Sequence, residues 1–212
     1  MPVVWFIRHG ESESNANLKT THPAESALTA QGYEEAIKVP PVITQQPDLI
    51  VVSPYLRARQ TAVPTIEKFP NTAVETWPVE EFTYLHPGEY EDTTGAERWP
   101  AAKAYWEGND PQLKHGGAGE SFVELMVRVQ ALQTRLAQHP ADFIVMFSHG
   151  LFLRAVLHSN IVGSYEATAL QMERYRHFVW AVHMPNCAIL KATIAANGRF
   201  TFSGYDTIHL TD

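Results

Sequence analysis

Apolar residues occur in short unbroken runs that alternate with longer segments in which they recur every three to four positions. The runs lie at Val3–Ile7, at Asp48–Val52 and over 142–147. Continuous apolar runs of this length are typical of strands that are buried on both faces of a sheet. Segments with helical periodicity follow each run, so the chain is predicted to alternate between strand and helix.

The predicted helices have recognisable start and stop signals. The clearest spans 121–138, where Ser121 and Glu124 form a capping-box pattern ahead of a 3.6-residue apolar period. Thr29 is expected to cap an earlier helix that Pro40 and Pro41 end. Another helix is predicted to be capped by Ser53, to begin at Pro54 and to be kinked or split at Pro64. An extended segment is predicted over 72–82, a short helix near 96–107 and a helix over 151–159. Two strands are predicted over 187–194 and 199–205, and the hairpin signal Asn197-Gly198 joins them.

This order predicts the α/β class, with a three-layer sandwich: a mostly parallel central sheet with helices on both faces. Residues 82–119 break the alternation, because they are rich in proline, glycine and aromatic residues. We expect them to form an excursion over the C-terminal strand edge, and their aromatic side chains to pack this cover onto the sheet rather than to stack on a substrate. The chain is predicted to be one domain, 1–212, with 82–119 as its cover.

Composition narrows the function classes. The 212 residues carry a formal net charge of −7, which argues against a nucleic-acid partner. The chain has one cysteine, no apolar stretch long enough for a membrane span and no signal-like N-terminus, so we expect a cytoplasmic location with no membrane partner. The ten histidines show no metal-ligand spacing, so neither a metal nor another cofactor is expected. The oligomeric state is left open.

Cationic side chains follow three of the predicted strands. Arg8 and His9 follow the first, Arg57 lies just beyond the second, and His149 ends the run "FIVMFSH". Each of them singly is best explained as a surface cation, a core histidine or a turn residue. Because parallel strands have their carboxyl ends at one edge of the sheet, these side chains are expected to share one pocket. With the backbone amides of Gly10 and Gly150, such a cluster suits a phosphoryl group.

The motifs "RHGES" followed by Asn15, "SPYLRARQTA", and "FSHG" followed by Arg154 resemble those of the histidine phosphatase superfamily, the phosphoglycerate mutase-like family. The resemblance implies that His9 is the nucleophile that forms a phosphohistidine. It implies that Arg8, Arg57 and His149 hold the phosphoryl group, and that Asn15 lines the pocket. The chain departs from the family pattern at two places. Leu151 follows "HG", and the Gly-containing turn that follows the family's acidic residue is missing.

The acidic residue of the family corresponds to Glu81 in "VEEFTYL". Neighbouring side chains of an extended segment face opposite ways, so either Glu80 or Glu81 can face the pocket, and we predict Glu81. Glu89 and Asp92 are kept as reserve candidates for the proton donor.

The resemblance implies a phosphomonoesterase similar to the histidine acid phosphatases, a metal-independent phosphoric monoester hydrolase. The charges of Arg8 and Arg57 are expected to lower the pKa of His9 and to keep it neutral. A phosphoglycerate-mutase-type phosphotransferase is the alternative, and a non-catalytic phosphate-binding module is the third. A sugar phosphate, a nucleotide, a small metabolite ester and a phosphoprotein all fit as substrates.

Overall fold

The computed structural model describes residues 2–195 and 198–211, and within them six strands form one sheet. The strands are β1 (Val3–Arg8), β2 (Leu49–Val52), β3 (Ala73–Thr76), β4 (Phe143–Ser148), β5 (Ile189–Ile194) and β6 (Phe200–Asp206). Their order across the sheet is β3-β2-β4-β1-β5-β6. The first four are mutually parallel, and β5 and β6 are antiparallel additions beside β1. The prediction of a mostly parallel sheet in an α/β fold is confirmed.

Helices cover both faces of this sheet. They are α1 (Ala30–Ile37), α2 (Val39–Val42), α3 (Leu56–Lys68), α4 (Gly95–Gly108), α5 (Phe122–Gln138), α6 (Gly150–Val162) and α7 (Ala169–Ala181), with 3-10 turns at Pro87–Tyr90, His115–Gly117 and Ile208–Leu210. Side chains of β1 face both helical layers. Val4 and Phe6 belong to the core beneath α5 and α6, whereas Ile7, on the opposite face of the strand, belongs to the core beneath α2 and α3. None of the described helices has the length and hydropathy needed to span a bilayer.

Several predicted element boundaries are wrong. Helix α1 ends before the prolines, and Pro40 and Pro41 lie inside α2, where proline fits because the first helical turn needs no amide donor. Helix α3 begins at Leu56 rather than Pro54, its cap residue is Tyr55, and it runs through Pro64 without splitting.

Two further differences concern element content. The extended segment predicted over 72–82 is a strand only over Ala73–Thr76, and α7 was not predicted at all. In α7 the buried side chains are Met172 and Tyr175, which is too short an apolar stripe to show a helical period. Asn197 of the predicted hairpin signal lies outside the described residues, and the single-domain prediction stays a prediction.

Residues 82–119 pass over the carboxyl ends of the parallel strands, as the cavity that they share with His9 shows. Their aromatic side chains mainly pack against one another. Phe82, Tyr105 and Trp106 are buried, and the ring of Tyr84 lies 4.8 Å from that of Tyr105. Trp106 also contacts Tyr175 of α7, with ring centroids 6.1 Å apart. Aromatic packing therefore attaches this cover segment to the helical layer below it.

Candidate active site

His9 lies immediately after β1 and is buried, with 2% of its surface exposed. Its Nδ1 lies 2.6 Å from the carbonyl oxygen of Gly10, and its Nε2 accepts a hydrogen bond from Nε of Arg57 at 3.1 Å. A carbonyl oxygen only accepts, so the ring proton is on Nδ1. Nε2 therefore carries the free electron pair and faces the guanidinium.

The turn that follows His9 approaches other backbone closely. The Gly10 amide donates to Thr61 Oγ1 (3.0 Å), and the Thr61 hydroxyl donates to the Arg57 carbonyl (2.6 Å). A Cβ on Gly10 would lie 2.5 Å from the carbonyl oxygen of Gly32, so a larger residue would displace α1. Thr61, which the sequence reasoning missed, thus holds the His9 turn and the Arg57 turn of α3 at a set separation.

Arg57 lies in the first turn of α3 and is 6% exposed. Besides its bond to His9, its Nη1 donates to the carbonyl oxygen of Pro23 (2.7 Å), and its guanidinium carbon lies 5.2 Å from the centre of the Tyr55 ring. The side chain is therefore oriented from three sides.

His149 caps α6 at the end of β4 and is completely buried. Its ring centre lies 5.0 Å from that of His9, and its Nε2 lies 2.7 Å from Ser53 Oγ. Ser53 Oγ accepts from the Tyr55 amide (3.3 Å). Among the described residues the Ser53 proton has no other acceptor, so the hydroxyl donates to Nε2. The His149 proton is then on Nδ1, a buried atom with no partner in the described part of the chain.

Arg8, the last residue of β1, extends beneath the start of α6. Its Nη1 donates to the carbonyl oxygen of Met184, and its buried Nε has no partner among the described residues. A Cβ on Gly150 would lie 3.2 Å from Arg8 Nε and 3.5 Å from Arg154 Nη2, so the glycine leaves room for two guanidiniums. Arg154 is held by the carbonyls of Gly150 (2.9 Å) and Val179 (2.8 Å).

Glu81 and Glu80 diverge, as expected for neighbours in an extended segment. Glu81 Oε1 accepts from the amides of Leu151 and Phe152, both at 3.0 Å, so its carboxylate lies on the N-terminal turn of α6. Glu80 lies on the other side, with Oε1 3.9 Å from Arg128 Nη1. Of the reserve candidates, Glu89 is exposed and Asp92 forms an exposed ion pair with Lys19 (3.2 Å).

Asn15 lies at the exposed rim of the site. Its Oδ1 accepts from the Ser12 amide (3.3 Å) and from Asn186 Nδ2 (3.1 Å). Asn186 Nδ2 also donates to the carbonyl oxygen of His9 (3.0 Å), so this residue connects the loop after β1 to the nucleophile candidate. No motif in the sequence singled out Asn186.

Two adjoining cavities open at these residues. The inner pocket has a volume of about 160 Å³, and its lining includes His9, Asn15, Arg57, Glu81, Thr83 and Tyr90. The outer chamber has a volume of about 560 Å³, and its lining includes His22, Tyr55, Glu80, Lys114, Glu120, Glu124 and Arg128. Pro23, Glu81 and Thr83 line both, so a ligand can extend from one into the other.

Burial dominates the electrostatics of the candidate site. It lowers the pKa of His9 well below its ordinary value, and the charges of Arg57 and Arg8 lower it further. The pKa of His9 is shifted in the predicted direction, but the main cause is desolvation by burial rather than the charges of the arginines. Burial also lowers the pKa of His149, and that of Arg8 to about 10. Two neutral imidazoles therefore lie beside cationic guanidiniums, an arrangement that an anion would stabilise.

The described residues contain no group of three or more histidine, cysteine, aspartate or glutamate side chains that could hold a metal ion. Of the four predicted Arg and His side chains, His9 and Arg57 line the inner pocket, whereas Arg8 and His149 lie behind its wall.

Residues 4–205 match the histidine phosphatase superfamily (branch 1). The chain belongs to the histidine phosphatase superfamily. The resemblance seen in its three motifs is thereby confirmed.

Two of the curated proteins that are similar to this chain are named as phosphatases. The chain is 27% identical over 158 residues to a metal-independent phosphoserine phosphatase from Arabidopsis thaliana, and the match covers 71% of this chain and 65% of that protein. It is 28% identical over 166 residues to a glucosyl-3-phosphoglycerate phosphatase from Mycolicibacterium vanbaalenii, which covers 71% and 70% of the two chains. The chain thus spans about two thirds of the length of these relatives.

A solved phosphoserine phosphatase has the same fold. The phosphoserine phosphatase from Entamoeba histolytica, in a mutant form in complex with phosphoserine, superposes with a TM-score of 0.75 over 100% of both chains at 22% identity. This likeness establishes the fold alone.

Proposed function

We propose that this protein is a phosphomonoesterase that transfers the phosphoryl group of its substrate to His9 and then to water. The observation that carries the proposal is the tautomer of the His9 ring. Nδ1 donates a hydrogen bond to the carbonyl oxygen of Gly10, and Nε2 is unprotonated and buried beside Arg57. A neutral imidazole with one nitrogen held by a carbonyl is oriented to attack with the other.

In the first step, Nε2 of His9 forms a bond to phosphorus while the bond from phosphorus to the ester oxygen breaks. Negative charge spreads over the three equatorial oxygens of the transferring group. The guanidiniums of Arg8 and Arg57 and Nδ1–H of His149 would donate to these oxygens. Arg57 would exchange its bond to Nε2 for one to phosphate, which frees the electron pair as the substrate binds.

The leaving alkoxide needs a proton, and Glu81 is the carboxyl group that lines the pocket with His9. In its protonated form Glu81 would donate to the ester oxygen as the bond from that oxygen to phosphorus breaks. After the alcohol leaves, the Glu81 carboxylate accepts a proton from water as the water oxygen bonds to phosphorus and the bond to Nε2 breaks. The cycle releases inorganic phosphate and restores neutral His9, and its steps need no cofactor.

A phosphoglycerate-mutase-type phosphotransferase is the competing function. A mutase has to hold an intermediate with two phosphates, which requires a second set of cations. The arginine and the lysine that line the outer chamber, Arg128 and Lys114, are each paired with a glutamate. This favours release to water over transfer back to a phosphorylated product.

The decisive experiment is quenched turnover of p-nitrophenyl phosphate, with and without a chelator. We expect acid-labile, alkali-stable phosphate on the wild-type protein, none on His9→Ala, and normal labelling of His177→Ala, an exposed histidine. Chelator-sensitive turnover would contradict the mechanism. Vanadate binding without turnover would indicate a binding module, and interconversion of phosphoglycerates would indicate a mutase.

A further inference from the structure

The outer chamber has a surplus of negative charge. Its charged lining residues are Glu80, Glu81, Glu120, Glu124, Lys114 and Arg128, which makes four carboxylates against two cations. A chamber of this sign beside the phosphate site repels a second anionic group on the substrate.

Both cations of the chamber are already paired. Arg128 donates to both carboxylate oxygens of Glu120, at 2.7 and 2.9 Å, and Lys114 Nζ lies 2.5 Å from Glu124 Oε1. A substrate carboxylate or second phosphate would have to compete with these glutamates. Glu81 is protonated when it acts as the acid, so the surplus charge then lies on Glu80.

The inner wall of the chamber offers acceptors rather than donors. The Thr83 hydroxyl donates to the Glu81 carbonyl (3.2 Å), so the Tyr55 hydroxyl, 3.0 Å away, donates to Thr83 Oγ1. Burial raises the pKa of Tyr55, which keeps this proton in place. The Tyr55 oxygen then has lone pairs to offer but no further proton.

Glu80 adds an unsatisfied acceptor to the same wall. Its Oε2 is buried and has no hydrogen-bond partner among the described residues, while its Oε1 lies 3.9 Å from Arg128 Nη1, too far for a hydrogen bond. The Glu80 side chain keeps 26% of its surface exposed and lines the chamber, so its carboxylate can accept a charged donor from a ligand there.

We propose that the outer chamber binds the organic part of a phosphomonoester that carries an ammonium group or hydroxyl groups, that Glu80 receives the ammonium, and that substrates with a second anionic group are disfavoured. This inference rests on the proposed phosphatase function and specifies its substrate class. A volume of about 560 Å³ accommodates an alcohol larger than the phosphoryl group in the inner pocket.

The test uses matched alkyl phosphates that differ only in the terminal group: ω-amino-, ω-hydroxy- and ω-carboxyalkyl phosphates with two to four carbons. For the best chain length we expect kcat/KM to be about tenfold higher for ammonium than for hydroxyl, as for one charge-assisted hydrogen bond. The carboxylate compound is expected to be the poorest. Glu80→Gln should bring the ammonium-to-hydroxyl ratio close to one, whereas Glu107→Gln, an exposed glutamate on the cover, should preserve it.

The outcomes separate the two proposals. Turnover of p-nitrophenyl phosphate with an equal or reversed order of terminal groups overturns the substrate class and leaves the phosphatase standing. An unchanged ratio in Glu80→Gln overturns the role of Glu80. No turnover of any ester overturns both. If Glu80→Gln does not fold, the wild-type inhibition constants of ω-amino-, ω-hydroxy- and ω-carboxyalkylphosphonates test the same order without a variant.

Discussion

The inner pocket and the outer chamber share Glu81 and Thr83, yet they are built in different ways. The inner pocket takes His9 from the end of a buried strand, and Arg8, Ser53 and His149 behind it also lie at or next to strand ends. The outer chamber is built mostly from side chains between 80 and 128, and His22, Pro23 and Tyr55 complete its lining. Residues held by the sheet supply groups for a reaction, whereas the cover supplies a wall whose charge and shape can select the substrate.

The largest expected effect is loss of the guanidinium that contacts His9. We expect Arg57→Gln to lower kcat/KM by about 10³-fold, because a buried charged donor to the transferring phosphoryl group is lost. Arg59→Gln, an exposed arginine on the same helix, should change little. Steady-state kinetics with p-nitrophenyl phosphate measure both. A loss below tenfold would mean that the inner pocket does not hold the phosphoryl group as described.

The next effect tests the residue on the boundary between the two regions. Glu81→Gln keeps an oxygen that can accept from the Leu151 and Phe152 amides but cannot deliver a proton. We expect about a 10²-fold loss of kcat for alkyl phosphates, and a much smaller loss of phosphoryl transfer from p-nitrophenyl phosphate, whose leaving group needs no acid. Glu89→Gln is the control. Equal losses for both esters would exclude Glu81 as the proton donor.

The inner pocket should also make stability depend on pH. Burial lowers the pKa of both His9 and His149, so the unfolded chain takes up protons below pH ~6.5 that the folded chain does not bind. The free energy of unfolding is then fully retained above that pH and falls as pH drops through it, by up to about 1.4 kcal/mol per unit for each histidine.

Urea unfolding at pH 7.5, 6.5 and 5.5 measures this slope. The double variant His9→Gln/His149→Gln should reduce this slope between pH 6.5 and 5.5, and the remainder comes from His158 and His209, whose pKa burial also lowers. His177→Gln should leave the slope unchanged. A wild-type stability that is constant over this range would show that the two imidazoles are not buried as neutral groups.

The smallest effect concerns Ser53, which orients His149. Ser53→Ala is expected to lower kcat about tenfold, because loss of one hydrogen bond lets the His149 ring populate the tautomer without a proton on Nδ1. Nitrogen-15 NMR of the histidines should show Nδ1 protonated in the wild type and mixed tautomers in Ser53→Ala. Ser53→Thr, which keeps the hydroxyl, should restore both. An unchanged tautomer would make Ser53 a packing residue only.

The sequence was informative where the signal was local. Unbroken apolar runs predicted β1, β2 and β4, and the capping-box pattern of Ser121 and Glu124 predicted the start of α5. The prediction failed where tertiary contacts override local preference. Ser53 has the side chain of a helix cap, but its hydroxyl bonds His149 across 96 residues of chain, and α3 begins later. Helix α7 has two buried side chains and so gave no periodic signal.

Motifs next to buried strands were enough to predict Arg8, His9, Arg57 and His149 as candidates for one site, because a parallel sheet places its strand ends at one edge. They also led to the superfamily, which the match over 4–205 confirms. The tautomers of the two histidines, the contacts of Thr61 and Asn186, the separation of Glu80 from Glu81 and the charge of the outer chamber required the fold. Each of these depends on which atoms lie within hydrogen-bond distance of one another, and between residues far apart in the chain that distance is set by packing.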